Sequence, residues 1–152
     1  MKRLDRKSDC AINYSLEAIG DPWSLLIVRD IVYYGKKTYG EFLAAKEGIA
    51  TAALARRLLD LENKGIIVKQ RSTVDKRKED YTLTEKGLDL IPILLDLAEW
   101  GAEHDPETGA IASNWTALVK ANKHKMASLT RQIVKAGGSV FDTSGRLHEK
   151  LR

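Results

Sequence analysis

Hydrophobic residues recur at three- and four-residue steps through the first part of the chain, and this spacing predicts α-helices. Trp23, Leu26, Ile27 and Ile31 show it clearly. Glycines and capping residues divide the pattern into four predicted helices, at 10–19, 21–34, 38–46 and 50–64.

Two of these helices begin at residues that cap free backbone N–H groups. Asp21 followed by Pro22 is typical of an N-cap and a first helical position. Thr38 and Glu41 have the spacing of a capping box. The segment from residue 38 is therefore expected to form a short helix of its own.

The pattern changes after Gly65, where IIVKQR is followed by the polar run STVDKRKED and then by YTL. Two β-rich stretches around a polar tip predict a β-hairpin. Thr84 is expected to cap a long helix over 85–105, in which Pro92 would allow a kink. A last helix is expected over 113–136.

This order of elements predicts a mainly α fold with a small β-hairpin wing, which is a winged helix-turn-helix. The helices at 38–46 and 50–64 would form the helix-turn-helix. We expect residues 1–108 to contain this domain and a dimerisation helix, and residues 109–152 to form a C-terminal helical extension. The terminal helices would join two copies as a dimer.

The net charge of +4 is unevenly distributed along the chain. Six basic residues and one acid lie between Lys64 and Lys78, whereas seven acids and one lysine lie between Glu85 and Glu107. Segregated positive charge favours a polyanionic partner such as double-stranded DNA. Two solvated faces are the alternative.

The helix at 50–64 carries two adjacent arginines that point in different directions. Leu54, Leu58 and Leu61 define its buried stripe. Arg56 lies nearly opposite that stripe, so it is either a reader of base edges in a major groove or a plain surface arginine. Arg57 lies on the flank, where a structural ion pair and a phosphate contact are equally expected.

Further DNA contacts are predicted near these arginines. Small side chains at Ala52 and Ala53 would let the helix approach closely, and Thr51 suits a phosphate or a thymine. Lysines before the third helix and the basic hairpin tip would hold the phosphate backbone. The predicted DNA-binding set is Lys36, Lys37, Thr38, Thr51, Ala52, Ala53, Arg56, Arg57, Arg71, Lys76, Arg77 and Lys78.

Three stretches over about residues 10–101 together resemble the HxlR family of bacterial winged-helix regulators. They are Cys10 thirteen residues before Trp23 in IGDPWSLLIVRDI, then KTYGEFLAAKEGIATAALARRLLDLENKGII, then EDYTLTEKGLDLIPILLDLAEWG. The chain has Ala11 where the family often has proline, Ala50 in place of a serine cap, DKRK in place of a proline-containing wing tip, and Lys78 where arginine is common.

The resemblance implies a homodimeric transcriptional regulator that binds DNA sequence-specifically at a pseudo-palindromic operator. Two recognition helices about 34 Å apart would enter successive major grooves.

The predicted helix after Thr84 has two apolar stripes. Leu88, Ile91, Leu95 and Ala98 form the first, which would face its own domain. The second would face another copy or be covered by the C-terminal extension. Its residues, the predicted dimerisation set, are Leu90, Leu94, Leu97 and Gly101.

The extension has heptad spacing in Trp115, Val119, Asn122, Met126, Leu129 and Ile133. Asn122 at one seam position could fix the register between two tail helices. Packing of the extension onto its own dimer helix is the alternative. The extension is also basic, which would add attraction to DNA or balance the acidic helix.

Cys10 lies near the start of the first helix, where the helix dipole stabilises a thiolate. The resemblance implies a sensing role, since several relatives use a cysteine at this place. The alternative is a small buried residue that closes a helix contact. With one cysteine in the sequence, sensing would use an intersubunit disulfide, a mixed disulfide or alkylation. An oxidant or a small molecule would then be the effector.

The sequence does not favour an enzyme, a cofactor or a metal. It lacks a phosphate-binding glycine loop, metal-ligand spacing and a nucleophile elbow. No apolar run approaches the roughly 20 residues of a membrane span, and the start MKRLDRKSDC is charged, so a cytoplasmic protein is expected. The rival function is a winged-helix module that binds an acidic protein partner.

Overall fold

A computed structural model of the protein describes residues 7–108 and 110–141, without the side chains of 110–114. Residues 142–152 of the predicted extension lie outside the described residues. The elements in chain order are α1 (Ala11–Ile19), α2 (Ser24–Tyr34), α3 (Tyr39–Leu43), α4 (Thr51–Asn63), β1 (Ile67–Arg71), β2 (Glu79–Leu83), α5 (Glu85–Leu88), α6 (Ile91–His104), α7 (Ala110–Ala121) and α8 (Lys123–Lys135). This order confirms a mostly helical winged-helix fold.

Predicted capping residues lie at the starts of α2 and α3, although α2 begins at Ser24, two residues after the predicted first helical residue Pro22. The Asp21 carboxylate accepts hydrogen bonds from the backbone N–H groups of Trp23 (2.8 Å) and Ser24 (2.9 Å). Helix α2 begins at Ser24 and ends at Tyr34. Gly35 follows as its C-cap, and its φ of 65° is the left-handed conformation that glycine adopts without strain. Thr38 and Glu41 form the expected capping box of α3. That helix ends at Leu43, three residues before the predicted end.

The hairpin pairs β1 with β2 as antiparallel strands, in a register that runs from Ile67 opposite Leu83 to Arg71 opposite Glu79. The N–H of Tyr81 in β2 also donates to the carbonyl oxygen of Lys37, at 2.7 Å. This bond fixes the hairpin to the segment that leads into α3. The wing and the helix-turn-helix therefore keep a defined relative position.

The core contains the predicted stripe of α4, since Leu54, Leu58 and Leu61 are all buried. The inner face of α2 packs with it. Helix α5 is held close to the wing because Thr84 accepts a hydrogen bond from the Gly87 N–H (3.1 Å) and donates one to the Ile66 carbonyl (3.1 Å).

The single helix predicted over 85–105 is instead two helices. Helix α5 ends at Leu88 and α6 begins at Ile91, with Pro92 in its first turn. Proline has no N–H to donate and is tolerated in a first turn, where that N–H would have no intrahelical acceptor. The chain therefore begins a new helix at Ile91 and does not bend an existing one at Pro92.

The continuous heptad helix predicted in the extension is wrong. Asn122 has φ −147° and ψ 56°, which is not helical, and it separates α7 from α8. Trp115, Val119, Met126 and Ile133 are buried within the same chain. Both helices pack on α6, so the alternative of packing onto the chain's own helix is the one observed.

Ion pairs join the extension to the acidic helices. Lys123 lies 2.7 Å from Asp96 and 2.8 Å from Glu99. Arg131 pairs with Glu85 and Asp89 of the α5 segment. These cations balance neighbouring acids. Of the two roles expected for the basic extension, this is the balance of the acidic helix.

The segment after α8 attaches to the end of α2. The N–H groups of Val140 and Phe141 donate to the carbonyl oxygens of Val32 (3.0 Å) and Tyr33 (2.9 Å). The indole N–H of Trp115 donates to the Tyr33 hydroxyl at 3.2 Å, and burial raises the pKa of that hydroxyl. The extension thus packs against the winged-helix core through apolar contacts and hydrogen bonds.

Candidate nucleic-acid interface

Helices α3 and α4 form the helix-turn-helix, and two contacts fix the angle between them. The Tyr39 hydroxyl donates to the carbonyl oxygen of Thr51, at 3.0 Å. Ile49 of the connecting turn is buried in the core. Ala50 provides no side-chain cap to α4, as its side chain has no acceptor. The first-turn N–H groups of α4 are therefore left without a side-chain cap.

One face of α4 is exposed and carries Arg56. The side chains of Thr51, Ala52, Ala55 and Leu59 lie exposed on the same part of the helix. Among the described residues Arg56 has no ion pair, so its guanidinium is available to a ligand. Ala53 is placed differently from the prediction, because it is half-buried and packs against the core. Ala55 and Leu59 are exposed on this face but are not in the predicted DNA-binding set. Their i, i+4 spacing on the outer face of the helix could have identified them.

Arg57 has a structural role. Its guanidinium lies 3.5 Å from Asp21 and 3.3 Å from Asp60, and its side chain is half-buried. Asp21 is the cap of α2, so this pair joins α2 to α4. Of the two roles predicted for Arg57, the structure favours the ion pair with a neighbouring element.

The three predicted contacts before α3 differ in their surroundings. Lys36 is half-buried and its ammonium lies 3.1 Å from Asp30, a buried carboxylate, so it neutralises a core charge. Lys37 is exposed. The Thr38 hydroxyl accepts a hydrogen bond from the Glu41 N–H and caps α3. Lys37 is therefore the one of these three residues whose side chain is exposed, and it has no ion pair among the described residues.

Basic residues converge in a cleft between the start of α3 and the hairpin. The cleft has a volume of about 400 Å³, and all of its basic residues are exposed. Arg77 is held in the tip by Asp75, with its Nε 3.1 Å from Oδ1. That hydrogen bond lowers the pKa of Asp75. The predicted wing residues that line the cleft are Arg71, Lys76, Arg77 and Lys78.

An ion cluster supports the helix-turn-helix from behind. Arg29 of α2 binds both Asp30 and Glu47, and Glu47 lies in the turn between α3 and α4. The hydrogen bonds from Arg29 lower the pKa of Glu47 to about 2. Burial lowers the pKa of Arg29, but hydrogen bonds to Glu47 and Asp30 outweigh it, so the net shift is upward. The turn is thus fixed to α2 by charge.

The predicted dimerisation residues on α6 do not share one environment. Leu94 is 6% exposed and packs in the core of its own chain, so it cannot contact a second copy. Leu90 and Gly101 are half-buried, and Leu97 is 49% exposed. Leu94 is therefore covered within its own chain, whereas Leu97 is left exposed.

Another apolar stripe of α6 is exposed and was missed. It consists of Ile93, Leu97 and Trp100, and Trp100 is 65% exposed. Ile12 and Leu16 form a similar exposed pair on α1. The i, i+4, i+7 spacing of these α6 residues is visible in the sequence. Which face of α6 points outward depends on the separation of α5 from α6, and the sequence pattern did not predict that separation.

Cys10 is the N-cap residue of α1 and is exposed. The expectation of a buried cysteine that closes a helix contact is therefore wrong. A shallow cleft surrounds the residue, with Asn13, Tyr14 and Glu17 on its α1 side. The thiol is accessible to small reagents.

A capped helix-turn-helix followed by a basic antiparallel hairpin defines a winged helix-turn-helix protein. The profile of the HxlR-like helix-turn-helix family matches residues 18–108. The chain is 32% identical over 114 residues to YybR of Bacillus subtilis, an HTH-type transcriptional regulator. The aligned region covers 75% of this chain and 89% of YybR. It is also 33% identical over 96 residues to an HTH-type transcriptional regulator of Mycobacterium tuberculosis. That alignment covers 63% of this chain and 60% of the relative.

Solved structures agree with this assignment. The redox regulator HypR in its oxidized form has a TM-score of 0.57 and 31% identity, over 63% of this chain and 98% of HypR. The reduced form of the transcriptional regulator YodB from Bacillus subtilis has a TM-score of 0.53 and 28% identity, over 66% of this chain and all of YodB. The chain belongs to the HxlR-like helix-turn-helix family and is a transcriptional regulator.

Within the described residues, none of the helices combines the length and the apolar character that a membrane crossing requires.

Proposed function

We propose that two copies of this chain bind a pseudo-palindromic operator in double-stranded DNA, and that the protein acts by binding and not by catalysis. Helix α4 would enter the major groove and the hairpin tip would follow an adjacent groove. The observation that carries the proposal is the exposed Arg56 on the outer face of α4, which has no ion pair among the described residues. A cleft between α3 and the hairpin, lined by basic wing residues, adds to it. Phosphate groups attract such cations and base edges accept from arginine.

The proposed contacts fall into two kinds. Arg56, with Thr51 and Ala52 beside it, would meet base edges. Ala53 and Arg57 would support the helix from the protein side. The proposed phosphate contacts are Lys37, Arg71, Lys76, Arg77 and Lys78, with Thr38 and Lys36 contributing mainly to the shape of the site.

The experiment compares Arg56→Ala, Lys76→Ala and Lys125→Ala in binding to a selected operator and to unrelated duplex. Lys76→Ala should weaken binding to both duplexes alike and reduce the dependence of affinity on salt. Arg56→Ala should reduce the ratio of operator to unrelated affinity. Lys125 is exposed on α8, so Lys125→Ala controls for the loss of one charge. Unchanged affinity and preference in Arg56→Ala would refute the assigned reading face.

The homodimer would use the exposed apolar stripe of α6, in which Leu97 is the member already expected. Exposed apolar stripes on a helix mark contacts with another chain. Leu97→Asp or Trp100→Asp should give a monomer in analytical ultracentrifugation and weaken operator binding strongly. Val74→Asp is the matched control, since Val74 is 95% exposed at the wing tip, away from α6. A wild-type chain that is monomeric at micromolar concentration would contradict the proposal.

Cys10 is the proposed sensor of an oxidant, since its thiol is exposed at the start of α1. Hydrogen peroxide would take two electrons and two protons from a pair of thiols, one per protomer or one from a small thiol, giving a disulfide and water. Oxidant should then change the operator affinity of the wild type and leave Cys10→Ser unchanged. An equal response of both proteins would exclude Cys10.

A further inference from the structure

The outer face of α4 combines one cation with a line of apolar side chains. Ala55 and Leu59 lie one helical turn apart, and Leu59 is 58% exposed. Arg56 lies between them along the chain and is exposed on the same part of the helix. A single exposed leucine is ordinary on a protein surface. Here it lies beside the arginine, on the face that the proposed function directs into DNA.

The length of this face limits how many base pairs it can contact. Leu59 lies seven positions after Ala52, which is a rise of about 10 Å along an α-helix. Base pairs are stacked about 3.4 Å apart. The face therefore spans roughly three base-pair steps, and Arg56 and Leu59 can contact the same short run of bases.

The chemistry of the face selects among the bases. Arginine donates two hydrogen bonds to O6 and N7 of guanine, and the C5-methyl of thymine is the apolar group in the major groove. Adenine is typically read by asparagine or glutamine, and cytosine by acidic side chains. The exposed side chains of this described segment, from Thr51 to Leu59, include neither an amide nor a carboxylate.

We infer that each operator half-site contains a guanine read by Arg56, with a thymine within three base pairs whose methyl group packs against Ala55 and Leu59. This inference rests on the proposed function, because it requires α4 to lie in the major groove. It adds Ala55 and Leu59 as residues that determine sequence preference.

The test begins with selection of preferred duplexes from a random pool by the full chain. Each guanine of the selected half-site is then replaced by 7-deazaguanine, which lacks the N7 acceptor, and each thymine by deoxyuridine, which lacks the methyl group. Fluorescence anisotropy gives the affinity of the wild type, Arg56→Ala, Leu59→Ala and Leu59→Met for every duplex. Circular dichroism verifies that each variant is folded.

One guanine replacement should weaken the wild type by roughly five- to a hundredfold, and should have little effect on Arg56→Ala. One thymine replacement should weaken the wild type about fourfold, since a buried methyl group contributes about 0.8 kcal/mol. Leu59→Met should keep that sensitivity and Leu59→Ala should lose it.

Two results would overturn the inference. In the first, neither analogue changes the affinity of the wild type. In the second, each analogue weakens the wild type and the variants by the same factor. A selection that returns no preferred sequence would instead overturn the proposed sequence-specific function, so the two failures are distinguishable.

Discussion

Arg29 and Glu47 join α2 to the turn of the helix-turn-helix, with Nη2 of the arginine 3.1 Å from Oε2 of the glutamate and a second contact between Nη1 and Oε1. Two parallel contacts fix orientation as well as distance. The recognition helix α4 follows this turn directly. Its position relative to the core therefore depends on an ion pair as well as on apolar packing.

The Arg29–Glu47 pair should make stability depend on pH. A glutamate whose pKa falls from 4.5 to about 2 on folding stabilises the fold above pH 4.5, and this contribution is lost as the pH falls toward 2. Because Glu47 is partly exposed, we expect Glu47→Gln to cost at most about 1 kcal/mol at pH 7. Urea unfolding at a series of pH values, from pH 7 downward, gives the difference in the free energy of unfolding between the wild type and Glu47→Gln.

The matched control is Glu103→Gln, which changes an exposed acid of α6 that has no ion pair with the described residues. It should leave the pH profile of the wild type unchanged. A constant difference between wild type and Glu47→Gln at every pH would show that the pair contributes nothing through ionisation.

Gly87 is required by the close approach of α5 to the wing. A Cβ at this position would lie 2.2 Å from the carbonyl oxygen of Ile66, a backbone atom that cannot move away cheaply. Gly87→Ala should therefore lower the free energy of unfolding by about 2–3 kcal/mol. Gly40→Ala in α3 is the control, because a methyl group added there would meet nothing within 4 Å and alanine favours helix. Equal melting temperatures for the two variants would disprove the crowding.

Thr130 of α8 is completely buried, and its hydroxyl has no hydrogen-bond partner among the described residues. Valine has nearly the same shape and no polar atom to desolvate, so Thr130→Val should stabilise the protein by about 1 kcal/mol. Thr84→Val is the comparison, since it removes hydrogen bonds to Gly87 and Ile66 and should destabilise. Calorimetry of both variants gives the signs. A lower melting temperature for Thr130→Val would show that the hydroxyl is satisfied in solution.

Arg56 and Arg57 should separate DNA recognition from stability. Arg57→Ala breaks the pairs with Asp21 and Asp60, and should cost about 1 kcal/mol of stability while the preference for one duplex over another is kept. Arg56→Ala should reduce the preference for one duplex over another and leave the stability unchanged. The measurements are chemical unfolding and competition between duplexes. If Arg57→Ala loses sequence preference and keeps full stability, then Arg57 and not Arg56 is the residue that recognises DNA.

The capping residues near the starts of α2, α3 and α5 were predictable from the sequence because local chemistry determines them. Thr38 with Glu41, Asp21 and Thr84 each satisfy backbone N–H groups within a few residues of themselves. The direction of Arg56 was also predictable, since helical geometry fixes it relative to Leu54 and Leu58.

The remaining features depend on contacts between distant residues. The separation at Asn122 breaks a regular apolar spacing, because α7 and α8 must both pack on α6. The pairing of Lys36 with Asp30 depends on how the chain turns after Gly35. Leu94 belongs to the core only because the chain folds over it, and local patterns contain no information about that contact.

The pairing of Lys123, Arg131 and Lys135 with acids of α5 and α6 has a consequence for how the protein meets its target. With those cations paired locally, the wing keeps a cluster of exposed cations, Arg71, Lys76 and Lys78, that have no ion pair among the described residues. During diffusion such an asymmetric charge would rotate the protein so that the wing approaches a polyanion first. The acidic half of the chain, joined to the extension, thereby favours productive orientation before any base is touched.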